Sequence, residues 1–395
     1  MFFGLDERER AWRDEVRSFI DSITDDQREQ FGQEMRELGV ERHSPTFFRM
    51  LCERGWVGLQ FPEPWGLGAP DTERFILHEE LAAAGLGLLY GVEISEAIGW
   101  MLVRNGPASL AGEHLPNIID GTWSYAGGYS EPEAGSDLLN ISTRARREGD
   151  TWVIDGAKMW TSAAHLADFI FAVVRTDPAS QRHHGLSIIL IPTDAPGVEI
   201  RPVPVLGGWR VNACFFDGVQ VPVSSTVGEP GQGWKVLSEA LNTERAMSFG
   251  GRESRLLLGR IVDRFEAEGR SWSEVDRQRL FELTTELEVE RLLVMRAAAM
   301  SARGEVADAE ASMGKIVGSE TAQRVAEWAV DVLGGATVFG DSDVLGPVGS
   351  VAHDDPLGAE VEEFLRASTV LTVIGGTSEV QRNVIASRRL GLPRS

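Results

Sequence analysis

The spacing of apolar residues changes twice along the 395-residue chain, and few folds accommodate that order. From residue 1 to about 120, apolar positions return every three or four residues, as in ERAWRDEVRSFIDSI and ERFILHEELAAAG. That is the period of amphipathic helices. Pro and Gly in FPEPWGLGAP mark a loop between them. From about 121 to 232 the pattern becomes short runs rich in β-branched and aromatic residues, TWVIDG, DFIFAVVRT, LSIILIPT and NACFFDGVQVP, separated by polar turns. After GEPGQG at 228–233 the helical period returns through WKVLSEALNTERAM, RLFELTTELEVERLLVMRAAAM, SETAQRVAEWAVDVL, EVEEFLRASTVLTV and EVQRNVIASRRL. The chain therefore predicts an α+β protein with a helical domain over 1–120, a β domain over 121–232 and a second helical domain over 233–395.

Charge and motif content exclude several classes of function. Lys plus Arg total 38 against 60 Asp plus Glu, a formal charge of −22, so the protein's field repels a phosphate backbone or an anionic bilayer. Nucleic acid is not an expected partner. No run of about 18 uncharged apolar residues is present to span a membrane, and MFFGLDERER lacks the basic-then-apolar order of a secretory signal. A cytoplasmic protein is expected. Cys52 and Cys214 lie far apart without CxxC spacing, and the seven histidines form no ligand spacing, so neither a disulfide framework nor a metal site is expected. No GxGxxG follows a strand, GKI at 314–316 lacks the P-loop pattern, and His78-Glu79-Glu80 has no second His at 82. There is no GxSxG nucleophile elbow. The pair His183 and His184 in QRHHG reads as a solvated turn between strands.

Four segments remain. YSEPEAGSD at 129–137 sets the hydroxyls of Ser130 and Ser136 around Gly135, with Glu131, Glu133 and Asp137 nearby; seen alone, it reads as a loop shaped by small polar residues. Trp160-Thr161-Ser162 ends an apparent strand, where a lone Trp reads as core. LNTERAMSFGG at 241–251 carries Glu244 and Arg245 on a helix, followed by Ser248, Gly250 and Gly251. A Glu–Arg pair on a helix ordinarily forms a solvated face, but two mid-helix glycines cost roughly 1 kcal/mol each relative to alanine and imply a close approach of ligand or backbone. In VIGGTSEVQRNVIASRRLGLP, Gly375-Gly376-Thr377-Ser378 breaks one helix and caps the next.

In this order and at these separations the four segments resemble the acyl-CoA dehydrogenase family over nearly the whole chain. GWVGLQFPEPWGLGAP followed by HEELAAAG, then GLSIILIPTDAPGV, FFDGVQVP and VGEPGQGW, extend the likeness. The resemblance implies an N-terminal helical domain, a middle β-barrel or sandwich and a C-terminal four-helix bundle. It also implies bound FAD, an acyl-CoA or related thioester substrate, an electron-transfer flavoprotein as acceptor, and a homo- or hetero-dimer or tetramer. It places Ser130 and the adjoining backbone, including Tyr129, on the flavin pyrimidine, with Gly135 and Ser136 near the flavin or the CoA arm. Trp160 would pack along the isoalloxazine, with Thr161 beside it and Ser162 near flavin N5. Thr377 and Glu379 would meet the ribityl-diphosphate region, and Gly334 and Gly335 belong to the cofactor set. Asn242, Arg245 and Ser248 would line the CoA side, and Gly375 and Gly376 the thioester.

The resemblance also bears on the base. Much of the family carries a catalytic carboxylate directly before the G-T of the C-terminal motif, where this chain reads Ile374-Gly375-Gly376-Thr377. The isovaleryl-CoA and long-chain branches instead use a Glu immediately before a helix Arg, which is where Glu244 precedes Arg245. Glu244 is thus the implied base for the α proton, with flavin N5 taking the β hydride. Two segments depart from the family. RxxFGxP is replaced by RFEAEGRSWSEVDRQRL, and Q-x-x-GG-x-G by Asp331-Val332-Leu333-Gly334-Gly335-Ala336-Thr337; similar replacements occur in actinobacterial-type members, some of which work as mixed oligomers. Two alternatives stay open: a non-catalytic subunit completing a partner's FAD site, and a flavin oxidase or monooxygenase on the same fold.

Overall fold

A computed structural model describes residues 4–38, 44–86, 90–180, 182–206, 210–245, 251–334 and 355–393, without the side chains of 35–38, 90–92, 182 and 240–245. Six helices come first: α1 (Glu7–Asp21), α2 (Asp25–Leu38), α3 (Pro45–Glu53), α4 (Asp71–Ala83), α5 (Tyr90–Asn105) and α6 (Ala108–Ile119). α1 starts where it does because Asp6 and Glu9 cap each other reciprocally, each side chain accepting from the other's backbone N–H at 2.8 and 2.9 Å. Ser44 caps α3 ahead of Pro45, whose missing N–H costs nothing in a first turn. The apolar faces of these helices close over a core of Phe19, Phe47, Leu51, Trp56 and Leu81.

Eight strands follow: β1 (Tyr125–Gly128), β2 (Arg144–Glu148), β3 (Thr151–Ser162), β4 (Phe169–Arg175), β5 (Leu186–Pro192), β6 (Val198–Pro204), β7 (Arg210–Pro222) and β8 (Thr226–Val227). They form one mixed sheet in the order β6-β7-β3-β2-β4-β5-β8, with β1 running parallel to β4. FIFAVVR of β4 and LSIILIP of β5 are covered on both faces, as their unbroken apolar runs require. β2 and β6, RARRE and VEIRPVP, escape an apolar-run search because they are largely exposed and mix charge with β-formers. The pairing of β3 with β7 shifts register between Lys158 and Thr161, a bulge that re-aims the end of β3.

The remaining helices are α7 (Gly233–Arg245), α8 (Gly251–Ala267), α9 (Glu274–Ala302), α10 (Asp308–Leu333), α11 (Pro356–Leu371) and α12 (Ser378–Val384). Leu257, Ile261, Leu283, Leu287, Val325, Trp328 and Val361 pack between α8, α9, α10 and α11. A separate core joins all three regions: Ile98 and Met101 of α5, Leu115 of α6, Tyr125 of β1, Phe171 of β4, Ile188 of β5 and Val236 and Leu237 of α7 are all buried together. Full burial of such side chains contributes about 1.5–3 kcal/mol each. The sheet and both helical regions are therefore locked around one apolar centre. No described helix is long and apolar enough to cross a membrane.

Candidate active site

The loop that follows β1 is built on a buried ion pair. Glu131 and Ala134 exchange backbone hydrogen bonds at 2.8 and 3.1 Å across Pro132–Glu133, a tight turn that Pro favours. The Glu131 side chain, 4% exposed, points inward, where one oxygen accepts from Lys158 Nζ at 2.8 Å and from the Thr143 amide at 2.9 Å. The other accepts from the Ser142 amide and hydroxyl, both at 2.7 Å. Lys158, on β3 and 0% exposed, also donates to the Tyr129 carbonyl at 3.2 Å. Burial opposes the Glu131 charge, but attraction to Lys158 and the hydrogen bonds prevail and hold the carboxyl down at about 2. Burial pulls the Lys158 ammonium down to about 8 against the pull of Glu131.

This pair is the part of the site that motif reading missed. Glu131 was visible only as one of three acidic residues in the loop, and Lys158 only as a residue shortly before Trp160; the signal available was a single Lys in the strand TWVIDGAKMWTS.

The same framework carries the end of β3. Met159 N donates to Ser130 O at 2.9 Å, so the loop and the residue preceding Trp160 are stitched directly together. Trp160 is not core: it is 53% exposed and holds φ at +64°. A left-handed backbone under a bulky aromatic costs roughly 1–2 kcal/mol, and such strain clusters at ligand sites. Thr161 is 1% exposed; its backbone carbonyl accepts from Asn212 Nδ2 at 2.9 Å, and its side chain offers no open surface. Ser162 is half-buried, Gly135 and Ser136 are exposed, and a Cβ on Gly135 would meet nothing within 4 Å. Among the described residues the half-buried Ser130 makes no hydrogen bond through its amide or hydroxyl.

The C-terminal motif is held by the helices. Gly375 and Gly376 adopt φ of +63° and +86°, and Gln381, fully buried, donates from Nε2 to their carbonyls at 2.9 and 3.1 Å while Ser312 of α10 donates to its Oε1 at 2.8 Å. A Cβ at Gly376 would lie 2.7 Å from Gln381 Nε2. Thr377 caps α12, its Oγ1 accepting from Val380 N at 3.2 Å. Glu379 is exposed in the first turn, its carboxyl lowered by its own backbone N–H and by Thr377. The expected helix break and cap are both present.

Asn242, Glu244 and Arg245 occupy the last turn of α7, but their side chains lie outside the described residues, as do Ser248 and Gly250. Gly251, expected to permit a close approach, opens α8 with the carboxylate of buried Glu290 where a Cβ would stand; Oε1 would be 2.8 Å away. Around it runs an ion network. Arg255 bridges Glu79 and Glu290 at 2.9 Å each, Arg252 reaches Glu79 at 3.2 Å and Glu93 at 3.3 Å, and His78 Nδ1 lies 3.1 Å from Glu93. Burial resists the Glu93 charge, yet the His78 hydrogen bond and Arg252 hold it at about 2. Helix α8 is thereby pinned to α4, α5 and α9 immediately after the segment that follows Glu244. Gly334 ends α10 at φ +62°, and Gly335 lies outside the described residues.

Three domain models match the chain: the N-terminal domain of acyl-CoA dehydrogenase over 6–122, its middle domain over 126–218 and its C-terminal domain over 231–390. The chain belongs to the acyl-CoA dehydrogenase family of flavin-dependent oxidoreductases. It is similar to acyl-CoA dehydrogenase IpdE1 of Mycolicibacterium smegmatis, 34% identical over 361 residues and covering 87% of each chain. It is 31% identical to acyl-CoA dehydrogenase FadE29 of Mycobacterium tuberculosis over 100% of this chain and 99% of that one. Among solved structures, the Tcur3481-Tcur3483 steroid ACAD superposes with a TM-score of 0.84 at 33% identity, covering 100% of both chains. The ChsE4-ChsE5 complex from Mycobacterium tuberculosis does so at 0.83 and 30%, again over 100% of both.

The described residues fit a flavin. A flat tricycle needs an open aromatic face, and its pyrimidine needs uncommitted donors; Trp160 presents such a face and Ser130 such donors, linked through the Met159 N to Ser130 O hydrogen bond.

Proposed function

We propose that this enzyme removes the α and β hydrogens of a bulky acyl-CoA thioester, with FAD as the cofactor and Glu244 as the base. One observation carries the assignment of the base. Gly375 and Gly376 both sit at positive φ, where a residue with a Cβ is strained, so the C-terminal motif is shaped to lack a carboxylate. Glu244, directly before Arg245 on α7, is the carboxylate left to take that role. When bound, FAD supplies the acceptor for the β hydrogen and its electron pair.

The chain's own residues do the rest. Glu244 takes the α proton onto its carboxylate as the α C–H bond breaks, and desolvation beneath the acyl group strengthens it as a base. The Gly375 amide donates to the thioester carbonyl, stabilising charge that develops on that oxygen. Asn242, Arg245 and Ser248 hold the CoA side, and Ser136 and Gly376 complete that wall. Trp160, Ser162, Tyr129, Ser130 and Gly135 seat the ring; Thr377, Glu379, Gly334 and Gly335 serve the ribityl-diphosphate. The likeness to a steroid ACAD supports a polycyclic acyl group, and an electron-transfer flavoprotein is the proposed acceptor.

Glu244→Gln should retain FAD and acyl-CoA binding yet slow flavin reduction about 10²–10⁴-fold in anaerobic stopped flow. Reduction at the wild-type rate would refute the base.

A second reading has its own support. Both structures above, at 30% and 33% identity, carry paired names, and the segment RFEAEGRSWSEVDRQRL replaces the family's inter-subunit FAD motif. The chain would then work in a hetero-oligomer. A yellow protein when purified alone argues for self-sufficiency; FAD retained only after co-expression with a second dehydrogenase chain argues for the mixed assembly.

A further inference from the structure

The buried ammonium beneath the loop does more than fill space. Lys158 Nζ donates to the carbonyl of Tyr129 at 3.2 Å, and that carbonyl belongs to the same peptide unit as the Ser130 N–H. In a trans peptide the two groups point in opposite directions and are electronically coupled through the amide. A positive donor on the oxygen draws density out of the unit and leaves the N–H more acidic, an effect that is largest where water is excluded. Lys158 is 0% exposed, so the solvent screening that weakens surface charges is absent. Glu131 does not simply cancel it, because its charge is shared with the Ser142 amide, the Ser142 hydroxyl and the Thr143 amide. The Ser130 N–H is uncommitted among the described residues, and the next peptide unit is anchored by Met159 N donating to Ser130 O at 2.9 Å.

We propose that Lys158 is an electrostatic positioning residue that acts through the Tyr129–Ser130 peptide to make the Ser130 N–H a stronger donor to the flavin pyrimidine, raising the reduction potential of the bound flavin. The proposal rests on the flavin seat assigned above. A flavin gains electron density on its pyrimidine when reduced, so a stronger donor there favours the reduced form. This would help the site draw a hydride from an unactivated carbon. The pair thus has a reason to survive the cost of burying two charges that a purely structural contact lacks.

The test is the midpoint potential of bound FAD, measured by equilibration with a reference dye, in wild type and Lys158→Met. The variant should show a ratio of reduced to oxidised flavin about tenfold lower at a fixed potential, equivalent to ~30 mV for a two-electron couple. Its affinity for oxidised FAD should change less than its affinity for reduced FAD. If Lys158→Met does not fold, the double variant Lys158→Met/Glu131→Gln, which leaves no lone buried charge, carries the same measurement with the same expectation. An unchanged potential, with both redox forms bound equally well or equally weakly, would overturn the proposal and leave Lys158 a structural residue. Trp160→Ala separates this from failure of the seat itself. If it weakens FAD binding while the Lys158 variant keeps the wild-type potential, only the electrostatic role fails; if it binds FAD as wild type does, the seat is wrong.

Discussion

The sheet side and the helical side of the site solve the same problem by different means. On the sheet, a loop and a strand end are fixed by two charges withdrawn from water, Glu131 and Lys158, with both Glu131 oxygens and the Lys158 ammonium hydrogen-bonded. On the helices, the C-terminal motif is held by two left-handed glycines, a threonine cap and the amide of Gln381, contacts worth about 0.5–1.5 kcal/mol each. The contrast teaches where adaptability lies. The surface proposed for the flavin ring, which does not vary with substrate, is the rigid one. The surface proposed for the thioester and the ribityl-diphosphate is assembled from weaker, separable contacts that retune easily.

The comparison breaks most visibly at Glu131. Glu131→Ala leaves the Lys158 ammonium buried without its partner and should lower stability by about 3–5 kcal/mol in urea denaturation, while adding Lys158→Met should recover a large part of that loss. A loss within error of zero would mean that the pair is not buried as described.

Acid provides a graded version. Glu131 and Glu93 both sit at about 2, below the ordinary 4.5, so the unfolded chain binds more protons between those values. Their stabilisation is fully present above about pH 4.5 and drains away as pH falls toward 2. Urea midpoints measured across this window should fall steadily in wild type and more shallowly in Glu131→Gln; identical slopes would contradict the assignment.

At Trp160 the expected effects separate by observable. Trp160→Ala should weaken FAD binding about 3–10-fold, the worth of an aromatic stack, with little change in folding. Trp160→Gly should bind FAD no better but be more stable than the Ala variant by up to ~1 kcal/mol, since glycine accepts positive φ. Equal stabilities would remove the case for strain at this residue.

The smallest effect belongs to the helical side. Thr377→Ala removes the α12 cap and should cost ~1 kcal/mol, with flavin reduction slowed by less than in the base variant. A collapse of folding would show the two sides to be equally rigid.

Much of this was legible in the residues themselves. Helical spacing before 120 and after 232 and the β-branched runs between are direct images of which faces are buried. Thr377 announced its cap, and Gly375 and Gly376 their break, because capping and positive φ are local properties. The Glu131–Lys158 pair was not legible: 27 residues separate the partners, and only the pairing of β3 with its neighbours brings them together. Trp160 misled in the opposite direction, since a tryptophan at a strand end ordinarily packs inside, and only the bulge after Lys158 turns it out. Gly251, expected mid-helix against a ligand or backbone, instead opens α8 against the Glu290 side-chain carboxylate, a contact set by the meeting of α8 and α9.

The location of the base is tested most directly by following the α hydrogen itself. The FAD-loaded enzyme is incubated anaerobically in D2O with an acyl-CoA whose β carbon cannot be oxidised, and deuterium at the α carbon is read by mass spectrometry. Wild type should wash deuterium in, and Glu244→Gln, with equal FAD content, should not. Exchange at the wild-type rate in the variant would place the base elsewhere.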